Sequence, residues 1–399
     1  MINLENIKQA QERIEGVVAK TPLAYAPYLS ELSSANVYLK KENLQITGAF
    51  KIRGAYNKIA SLSENERAKG VIAASAGNHA QGVALSANRF EIKAVIVMPE
   101  STPLTKVNGV KYYGAEVVLH GSNYDEAYAY AIDYAQKNDL TFVHPFEDAE
   151  VIAGQGTVGL EILESCEQLD AVIIPIGGGG LIAGMATAIK ALSPNTKVIG
   201  VSASGAPAFK QSYELKNAID TTQVRTIADG IAVRDTSKIT LDYALKYVDE
   251  VLSVDDEEIA SAILYLLEKQ KLVVEGAGSV GVAALLHGKV EGLEGKNVAV
   301  VLSGGNMDVT LLSVIIEKGL IKSHRKMNLT VTLIDKPGSL MHFTEILQKL
   351  NANIVHIAYD RTSVSLDYGD ANVTVHIETK GKEHQDEITQ ALKSEGYIR

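Results

Sequence analysis

The feature that most constrains the fold is a series of short apolar runs, each followed by a turn and a helix-like stretch. The runs are apolar at consecutive positions, which indicates strands buried on both faces, as in a parallel sheet covered by helices. This order repeats through most of the chain and predicts an α/β fold. The predicted strands are 37–39, 71–73, 94–98, 116–119, 142–143, 171–176, 198–201 and 298–302.

The pattern changes late in the chain, which indicates a second, smaller domain. A polar and basic run at 322–326 predicts a linker. Beyond it, apolar residues alternate with threonines over 329–333, as in a half-buried strand, and the spacing then predicts a helix, two strands, a helix and a last short strand over 397–399. This β-α-β-β-α-β order is that of a ferredoxin-like domain. We therefore expect a large domain over 1–322 and a small one over 327–399.

Composition excludes several classes of protein. The formal net charge is −10, and neither domain is basic, so a nucleic-acid partner is not expected. No apolar run is long enough to span a membrane, and residues 3–14 have the spacing of an amphipathic surface helix and not of a signal peptide. The single cysteine, Cys166, excludes an intrachain disulfide and a zinc site built from thiolates. We expect a cytoplasmic protein.

Residues 47–55 read Thr-Gly-Ala-Phe-Lys-Ile-Arg-Gly-Ala and contain a candidate nucleophile. Lys51 lies between an aromatic residue and an Arg-Gly pair, at the start of a helix-like stretch. A lysine amine forms a Schiff base with an aldehyde. The alternative is a solvated surface charge, which most lysines are.

Residues 75–82 read Ser-Ala-Gly-Asn-His-Ala-Gln-Gly and directly follow a predicted strand. Such a strand-to-helix turn exposes backbone N–H groups at a helix N-terminus, where a carboxylate can bind. The candidate residues are Ser75, Ala76, Gly77, Asn78 and His79. The alternative is an ordinary turn in which Asn78 caps the helix.

Two further turns follow buried strands. Gly177, Gly178, Gly179 and Gly180 precede a helix that starts near Leu181, and consecutive N–H groups there suit a phosphate. A flexible linker is the alternative reading of this turn. The second turn is Ser303-Gly304-Gly305-Asn306, at the C-terminal end of a strand, where ligands of open α/β sheets bind. Ser303 would be a neutral hydrogen-bonding partner there, unless the segment is a plain turn.

Two matches to the dinucleotide-binding pattern are not convincing. Residues 154–159 match GxGxxG but continue what looks like one helix. Residues 178–183 match GxGxxA, yet the next strand ends at 201–204 without the acidic residue that binds the ribose. The nine histidines form no paired ligand spacing, so we predict no metal site.

Taken together and in this order, the four motifs resemble those of fold-type II enzymes that use pyridoxal 5′-phosphate (PLP). The lysine motif and the 75–82 loop are most similar to the threonine dehydratases within the serine/threonine dehydratase family, as are residues 173–184 and 226–230. The resemblance covers about residues 15–320. It implies two open, twisted, mostly parallel sheets, with a small lobe at about 48–146 inserted in a large one.

The resemblance implies a role for each motif. Lys51 holds the cofactor as a Schiff base and later removes the Cα proton of the substrate. Phe50 packs near the pyridine ring, Asn78 hydrogen-bonds the 3′-oxygen and Ser303 faces the ring nitrogen. The phosphate binds to Gly177, Gly178, Gly179, Gly180 and Leu181, and the substrate carboxylate binds to Ser75, Ala76, Gly77, Asn78 and His79.

The implied reaction is β-elimination, which converts L-threonine to 2-oxobutanoate and ammonia and L-serine to pyruvate and ammonia. It would serve isoleucine biosynthesis or threonine catabolism. The segment 327–399 resembles a single ACT domain, an amino-acid-binding regulatory module. An effector, either a nucleotide or an amino acid such as isoleucine or valine, is expected to bind at an interface near Asp335, Gly338, Ser339 and Asn353. The protein is expected to be a homotetramer or homodimer. The alternative is a module that only promotes oligomerisation.

Two departures from the family and three alternative functions remain. The family usually has serine where this chain has Ala49, and members that bind a divalent metal tend to have an acidic residue near Ser202, which makes a magnesium site doubtful. On the same scaffold the chain could be a serine racemase or a β-replacement enzyme. From a different class, it could be a catalytically silent amino-acid sensor, although the intact lysine, asparagine, glycine and serine motifs argue against it.

Overall fold

The computed structural model describes residues 1–398, and the chain divides into two compact units, Met1–Asp308 and Val309–Arg399. The expected boundary at 322–327 was too late, because helix Val309–Lys322 belongs to the second unit. The polar run at 322–326 is not a free linker. The backbone N–H of Arg325 donates to Leu320 O and closes that helix, while Thr379 N–H donates to Arg325 O and ties the run to a strand.

The first unit contains two sheets, both mostly parallel as predicted. The larger has the order β1-β2-β10-β7-β8-β9, and only its edge pair β1–β2 is antiparallel. Its strands are β1 (Leu23–Tyr25), β2 (Asn36–Lys40), β7 (Ala171–Pro175), β8 (Lys197–Ala203), β9 (Glu250–Val254) and β10 (Asn297–Val301).

The smaller sheet is wholly parallel, in the order β5-β4-β3-β6. Its strands are β3 (Val71–Ala74), β4 (Ala94–Met98), β5 (Glu116–Leu119) and β6 (Thr141–Phe142), so it lies inside the stretch 48–146. Strands β3, β4 and β7 are buried at every residue, which explains why their sequences are apolar without alternation.

Helices cover both sheets. Those of the first unit are α1 (Leu4–Ile14), α2 (Pro27–Ser33), α3 (Lys51–Ala60), α4 (Glu64–Lys69), α5 (Asn78–Arg89), α6 (Leu104–Tyr112), α7 (Tyr124–Asn138), α8 (Ala149–Ser165), α9 (Gly180–Leu192), α10 (Ala208–Leu215), α11 (Lys238–Tyr247), α12 (Asp256–Tyr265) and α13 (Gly276–Leu286). Within residues 1–398, no helix has both the length and the apolar character needed to cross a membrane.

Helix α8 packs closely against α3 and α9, and the GxGxxG match at 154–159 is what allows this. A Cβ atom added to Gly154 would lie 2.4 Å from Arg53 O on α3, and one added to Gly156 would lie 2.9 Å from Gly184 O on α9. The motif lies inside α8 and serves helix packing, in agreement with the predicted continuous helix.

Four charged side chains form a buried cluster behind α3. Arg53 donates to both carboxylate oxygens of Glu42, at 2.8 Å each, and to those of Glu161 at 2.7 and 2.9 Å. Lys40 also donates to Glu161. Each of these side chains is less than a tenth exposed. Because an unpaired buried charge is costly, this cluster fixes α3 relative to α8 and the end of β2.

The second unit begins with α14 (Val309–Lys322) and continues with β11 (Lys326–Ile334), α15 (Ser339–Lys349), β12 (Asn353–Asp360), β13 (Asp370–Glu378) and α16 (Lys382–Ser394). The three strands form an antiparallel sheet in the order β11-β13-β12. Its core includes Phe343 of α15 and Ile388 of α16.

The predicted last strand at 397–399 was wrong for Tyr397 and Ile398, and Arg399 lies outside the described residues. Both side chains instead pack against the core of the unit, with the Tyr397 ring 5.7 Å from that of Phe343. The Tyr397 N–H donates to Leu392 O and closes α16. After α15, the described part of the unit is therefore β-β-α, one strand short of the ferredoxin-like order.

Candidate active site

The lysine motif and the Ser303 turn lie side by side. Lys51 is the first residue of α3, and its Nζ donates a 2.9 Å hydrogen bond to Pro145 O. The N–H of Phe50 donates to Ser303 O at 3.0 Å, and Ala49 forms an isolated β-bridge with Gly304. The end of β10 therefore fixes where α3 begins and where its lysine lies.

The surroundings of Lys51 favour its neutral amine. Burial lowers the pKa of this amine from 10.5 to about 8, and the nearby Glu275 carboxylate limits the shift. A lysine must be neutral to attack an aldehyde or to accept a proton, so this environment suits both tasks.

Asn78, the first residue of α5, is held by two side chains. Its Nδ2 donates to Glu275 Oε1 at 2.7 Å, and its Oδ1 accepts from Asn306 Nδ2 at 2.7 Å. Asn306 also donates to Thr47 O at 2.8 Å, which links the group to the lysine motif. Glu275 lies at the N-cap position of α13, but its side chain makes no capping hydrogen bond to the helix. Burial, followed by the charge of Asp229, raises the pKa of Glu275 to about 7, while the hydrogen bond from Asn78 opposes the shift.

The loop 75–79 leads from β3 into α5. Ser75 Oγ accepts from the N–H of Gly77 at 3.2 Å, and Ala76 and Gly77 follow before the helix. A Cβ added to Gly77 would meet no atom within 4 Å, so the space beside it is open. His79 is buried, with Nε2 2.8 Å from Val143 O, and burial together with the charge of Lys51 lowers its pKa to about 3. His79 is therefore neutral.

The glycine turn follows β7 and leads into α9. Gly179 has a φ of +83°, a left-handed conformation that favours glycine. A Cβ on Gly177 would lie 2.7 Å from Ile231 Cα, and one on Gly178 2.3 Å from the Phe146 ring. Gly180 and the buried Leu181 form the first turn of α9. The turn is a backbone cradle at a helix N-terminus, and this geometry suits a phosphate.

The sequence interpretation missed Glu275, Asn306 and Pro145. Asn306 belongs to the Ser303 turn but was not singled out. Glu275 had one usable signal, since it is an isolated acid directly before the apolar, glycine-rich stretch 276–286. Pro145 acts through its backbone oxygen, which no sequence pattern reveals. Among residues 1–398, no group of three or more His, Cys, Asp or Glu side chains is arranged to hold a metal ion.

The four predicted effector residues are not brought together within one chain. Asp335, Gly338 and Ser339 lie at the turn from β11 to α15, where Asp335 Oδ1 accepts from the Tyr359 hydroxyl at 2.9 Å. Asn353 begins β12, whereas Tyr359 lies near its end. A rise of about 3.3 Å per residue puts these two strand ends roughly 20 Å apart.

Comparison with known proteins identifies the family of the chain. Residues 14–304 match a family model described as pyridoxal-phosphate dependent enzyme. An L-threonine ammonia-lyase of Thermotoga maritima is 49% identical over 397 residues, covering 100% of this chain and 98% of the relative.

Solved structures share the fold as well. Threonine deaminase isoform 2 of Solanum lycopersicum, in its processed form, has a TM-score of 0.75 at 39% identity, covering 79% of this chain and 86% of that one. Maize serine racemase has a TM-score of 0.75 at 34% identity, covering 81% of this chain and 99% of that one. The chain belongs to the family of pyridoxal-phosphate-dependent enzymes.

Proposed function

We propose that the chain is a threonine ammonia-lyase that converts L-threonine to 2-oxobutanoate and ammonia. The observation that carries the proposal is the amine of Lys51, whose pKa is lowered to about 8 at the meeting point of the lysine, asparagine and serine motifs. The names of the relatives at 46–49% identity support the same reaction. L-Serine is a second substrate, giving pyruvate.

The residues fit the cofactor. Lys51 would hold it through its amine, Phe50 would pack near the ring, Asn78 would donate to the 3′-oxygen and Ser303 would face the ring nitrogen. The glycine turn would hold the phosphate with its backbone N–H groups at the start of α9. Its four residues must be glycine, because a Cβ added at any of Gly177–Gly180 would lie within 3 Å of a neighbouring residue. When bound, the cofactor supplies the electron sink for the carbanion.

The protein side of the reaction is positioning and proton transfer. The loop 75–79 would hold the substrate carboxylate with backbone N–H groups at the start of α5. His79 is neutral, so it adds no fixed charge there. Lys51, once freed from the cofactor, would accept the Cα proton as general base. A serine hydroxyl at the ring nitrogen does not keep that nitrogen protonated as a carboxylate would, which favours loss of the β-hydroxyl over transamination.

The test is release of 2-oxoacid from L-threonine and L-serine by the wild type and by Lys51→Ala. We expect the variant to lose the visible absorbance of lysine-bound cofactor and all turnover. Lys58→Ala is the matched control, because Lys58 lies on the same helix and pairs with Asp148 at 2.7 Å. Threonine turnover at the wild-type rate in Lys51→Ala would refute the assignment.

The same incubations separate the alternative functions. A racemase would convert L-serine to D-serine faster than it releases pyruvate, which chiral chromatography detects. A β-replacement enzyme would require an added nucleophile, and an amino-acid sensor would bind the amino acid without consuming it.

The proposal includes regulation by the C-terminal unit, with an amino acid as effector and a homo-oligomeric protein. Supporting it, Gly338 has a φ of +94° at the turn where α15 begins, and Asp335 lies in the same turn. Such a turn presents N–H groups to a carboxylate. Binding there would change activity only if the effector binds two states of the enzyme unequally.

The regulatory proposal is tested by truncation after Asp308, where the two units divide. Isoleucine, valine and AMP are added to full-length and truncated enzyme during threonine turnover. We expect the full-length chain alone to respond. An unchanged response in the truncated enzyme would contradict regulation by this unit. The number of subunits in each enzyme is measured as well, so that a loss of oligomerisation is distinguished from a loss of effector binding.

A further inference from the structure

Gln155 lies in the middle of α8, in the 154–159 motif, and one half of its side chain has no partner. The residue is fully buried, and its Oε1 accepts no hydrogen bond from residues 1–398. Its Nε2 donates only a long bond of 3.4 Å to Pro145 O. An unsatisfied buried amide oxygen costs about 1–3 kcal/mol, so a group that would satisfy this side chain is missing from the protein alone.

The amide of Gln155 lies between the lysine and the glycine turn. Pro145 O accepts from both Gln155 Nε2 and Lys51 Nζ, the latter at 2.9 Å. On the other side, a Cβ added to Gly180 would lie 2.7 Å from Gln155 Oε1, so the unpartnered end faces the first residue of α9. Gly180 has no side chain to separate the amide from this turn.

The chemistry of an amide side chain fits an anion at this position. A glutamine amide has two N–H donors and one oxygen acceptor, and a half-turn of its terminal torsion exchanges them. In the exchanged orientation the N–H donors face the glycine turn, while the oxygen takes the place of the Nε2 atom beside Pro145 O. Rotation replaces the long bond to Pro145 O with a contact between two acceptor oxygens, and a charge-assisted hydrogen bond to an anion at the glycine turn would have to outweigh that loss.

We propose that Gln155 is a ligand of the cofactor phosphate, adding a side-chain N–H donor to the backbone donors of the glycine turn. The proposal rests on the position of the phosphate given under the proposed function. It assigns to the 154–159 motif a binding role in addition to helix packing.

The experiment compares the affinities of the full-length apoenzyme for PLP and for pyridoxal, which lacks the phosphate, by equilibrium dialysis. Gln155→Glu keeps the shape and replaces the donors with a charge of the same sign as the phosphate. We expect it to weaken PLP binding at least 100-fold while pyridoxal binding stays within about twofold of wild type. Gln155→Met, which is uncharged and similar in size, should weaken PLP binding about tenfold, as loss of one hydrogen bond to a charged group does.

Gly179→Ala serves as the reference for the phosphate position, and circular dichroism verifies that each variant is folded. Equal loss of PLP and pyridoxal affinity in both Gln155 variants would show a purely structural role and overturn the inference. Unchanged PLP affinity in both would overturn it as well. If Gly179→Ala weakens binding of PLP more than that of pyridoxal but the Gln155 variants do not, the role of Gln155 is wrong while the position of the phosphate stands. If Gly179→Ala weakens binding of PLP and pyridoxal equally, the phosphate does not bind at the glycine turn, and both the phosphate position and the role of Gln155 are wrong.

Discussion

Asn78 and Glu275, which are 197 residues apart in the sequence, are joined by a 2.7 Å hydrogen bond from the Asn78 amide to the Glu275 carboxylate. Because Asn306 donates to the oxygen of the same amide, the orientation of Asn78 is fixed from both sides. One N–H of the Asn78 amide is left for a ligand. The carboxylate also lies close enough to Lys51 to influence its pKa. Glu275 therefore couples the orientation of Asn78 to the charge of the lysine.

The first prediction concerns this coupling. The charge of Glu275 raises the pKa of Lys51 against the effect of burial, so Glu275→Gln removes a stabilising partner of the ammonium form. Covalent capture of the cofactor needs the neutral amine, and its rate should rise with pH to a midpoint near 8 in the wild type. In Glu275→Gln the midpoint should move to lower pH. Stopped-flow absorbance of apoenzyme mixed with PLP measures both curves.

Glu291→Gln is the control for this variant, because Glu291 is an exposed glutamate in the loop before β10. Its capture curve should coincide with that of the wild type. A midpoint that stays in place in Glu275→Gln, or that moves to higher pH, would contradict the coupling.

The layout of the first unit was predictable because its signal is local. Buried parallel strands need consecutive apolar residues, and the predicted runs at 94–98 and 171–176 cover β4 and β7, which are buried throughout. Strands β1 and β9, at the two edges of the large sheet, were missed. The position of α14 was also beyond prediction, since a helix at a domain boundary has no pattern that assigns it to either side.

Site residues that belong to local sequence motifs could be predicted. Those that act through contacts between residues far apart in the sequence could not. Lys51, Asn78 and Ser303 each follow or precede a local pattern, and the structure brings these three residues close together. The role of Glu275 arises only when α13 and α5 meet, and its one sequence signal, an acid before an apolar stretch, does not reveal its bond to Asn78. Within one chain, the length of β12 separates Asn353 from the other three predicted effector residues, and the effector site stays a prediction.

The second prediction tests the glycine turn. In Gly179→Ala, the added Cβ would lie 2.5 Å from Phe209 Cε2 and 2.8 Å from Thr240, in addition to the strain of a φ of +83°. The turn must move, so PLP affinity should fall at least 100-fold. Gly288→Ala is the matched control, because Gly288 has a φ of +62° but no atom within 4 Å of an added Cβ. Gly288→Ala should lower the free energy of unfolding only by the backbone strain, about 1–2 kcal/mol, and should leave PLP affinity unchanged.

The third prediction concerns stability in acid. His79 is neutral in the folded protein because its pKa is about 3, whereas an unfolded histidine titrates near 6.5. Below pH 6.5 the unfolded chain binds a proton that the folded chain does not, so stability falls as the pH falls towards 3, by at most about 1.4 kcal/mol per pH unit. In His79→Gln, stability should depend less steeply on pH below pH 6.5. Thermal unfolding followed by circular dichroism between pH 7 and 5 measures it, with His342→Gln, an exposed histidine of α15, as control. An equal fall in stability between pH 7 and 5 in the wild type and in His79→Gln would show that His79 is not held neutral in the folded protein.

The fourth prediction concerns the buried charges behind the lysine. Arg53→Met leaves the carboxylates of Glu42 and Glu161 without their main partner, and both are buried. Loss of one member of a buried ion pair costs about 3–5 kcal/mol, and that much should be lost from the free energy of unfolding in urea. Lys137→Met removes an exposed pair with Asp133 on α7 and should cost less than about 1 kcal/mol. If the two variants lost equal stability, the cluster would not be what fixes α3. Arg53 is two residues from Lys51 on the same turn of α3. In the folded fraction of Arg53→Met, slower capture of PLP by Lys51 would therefore show that the cluster also positions the lysine amine.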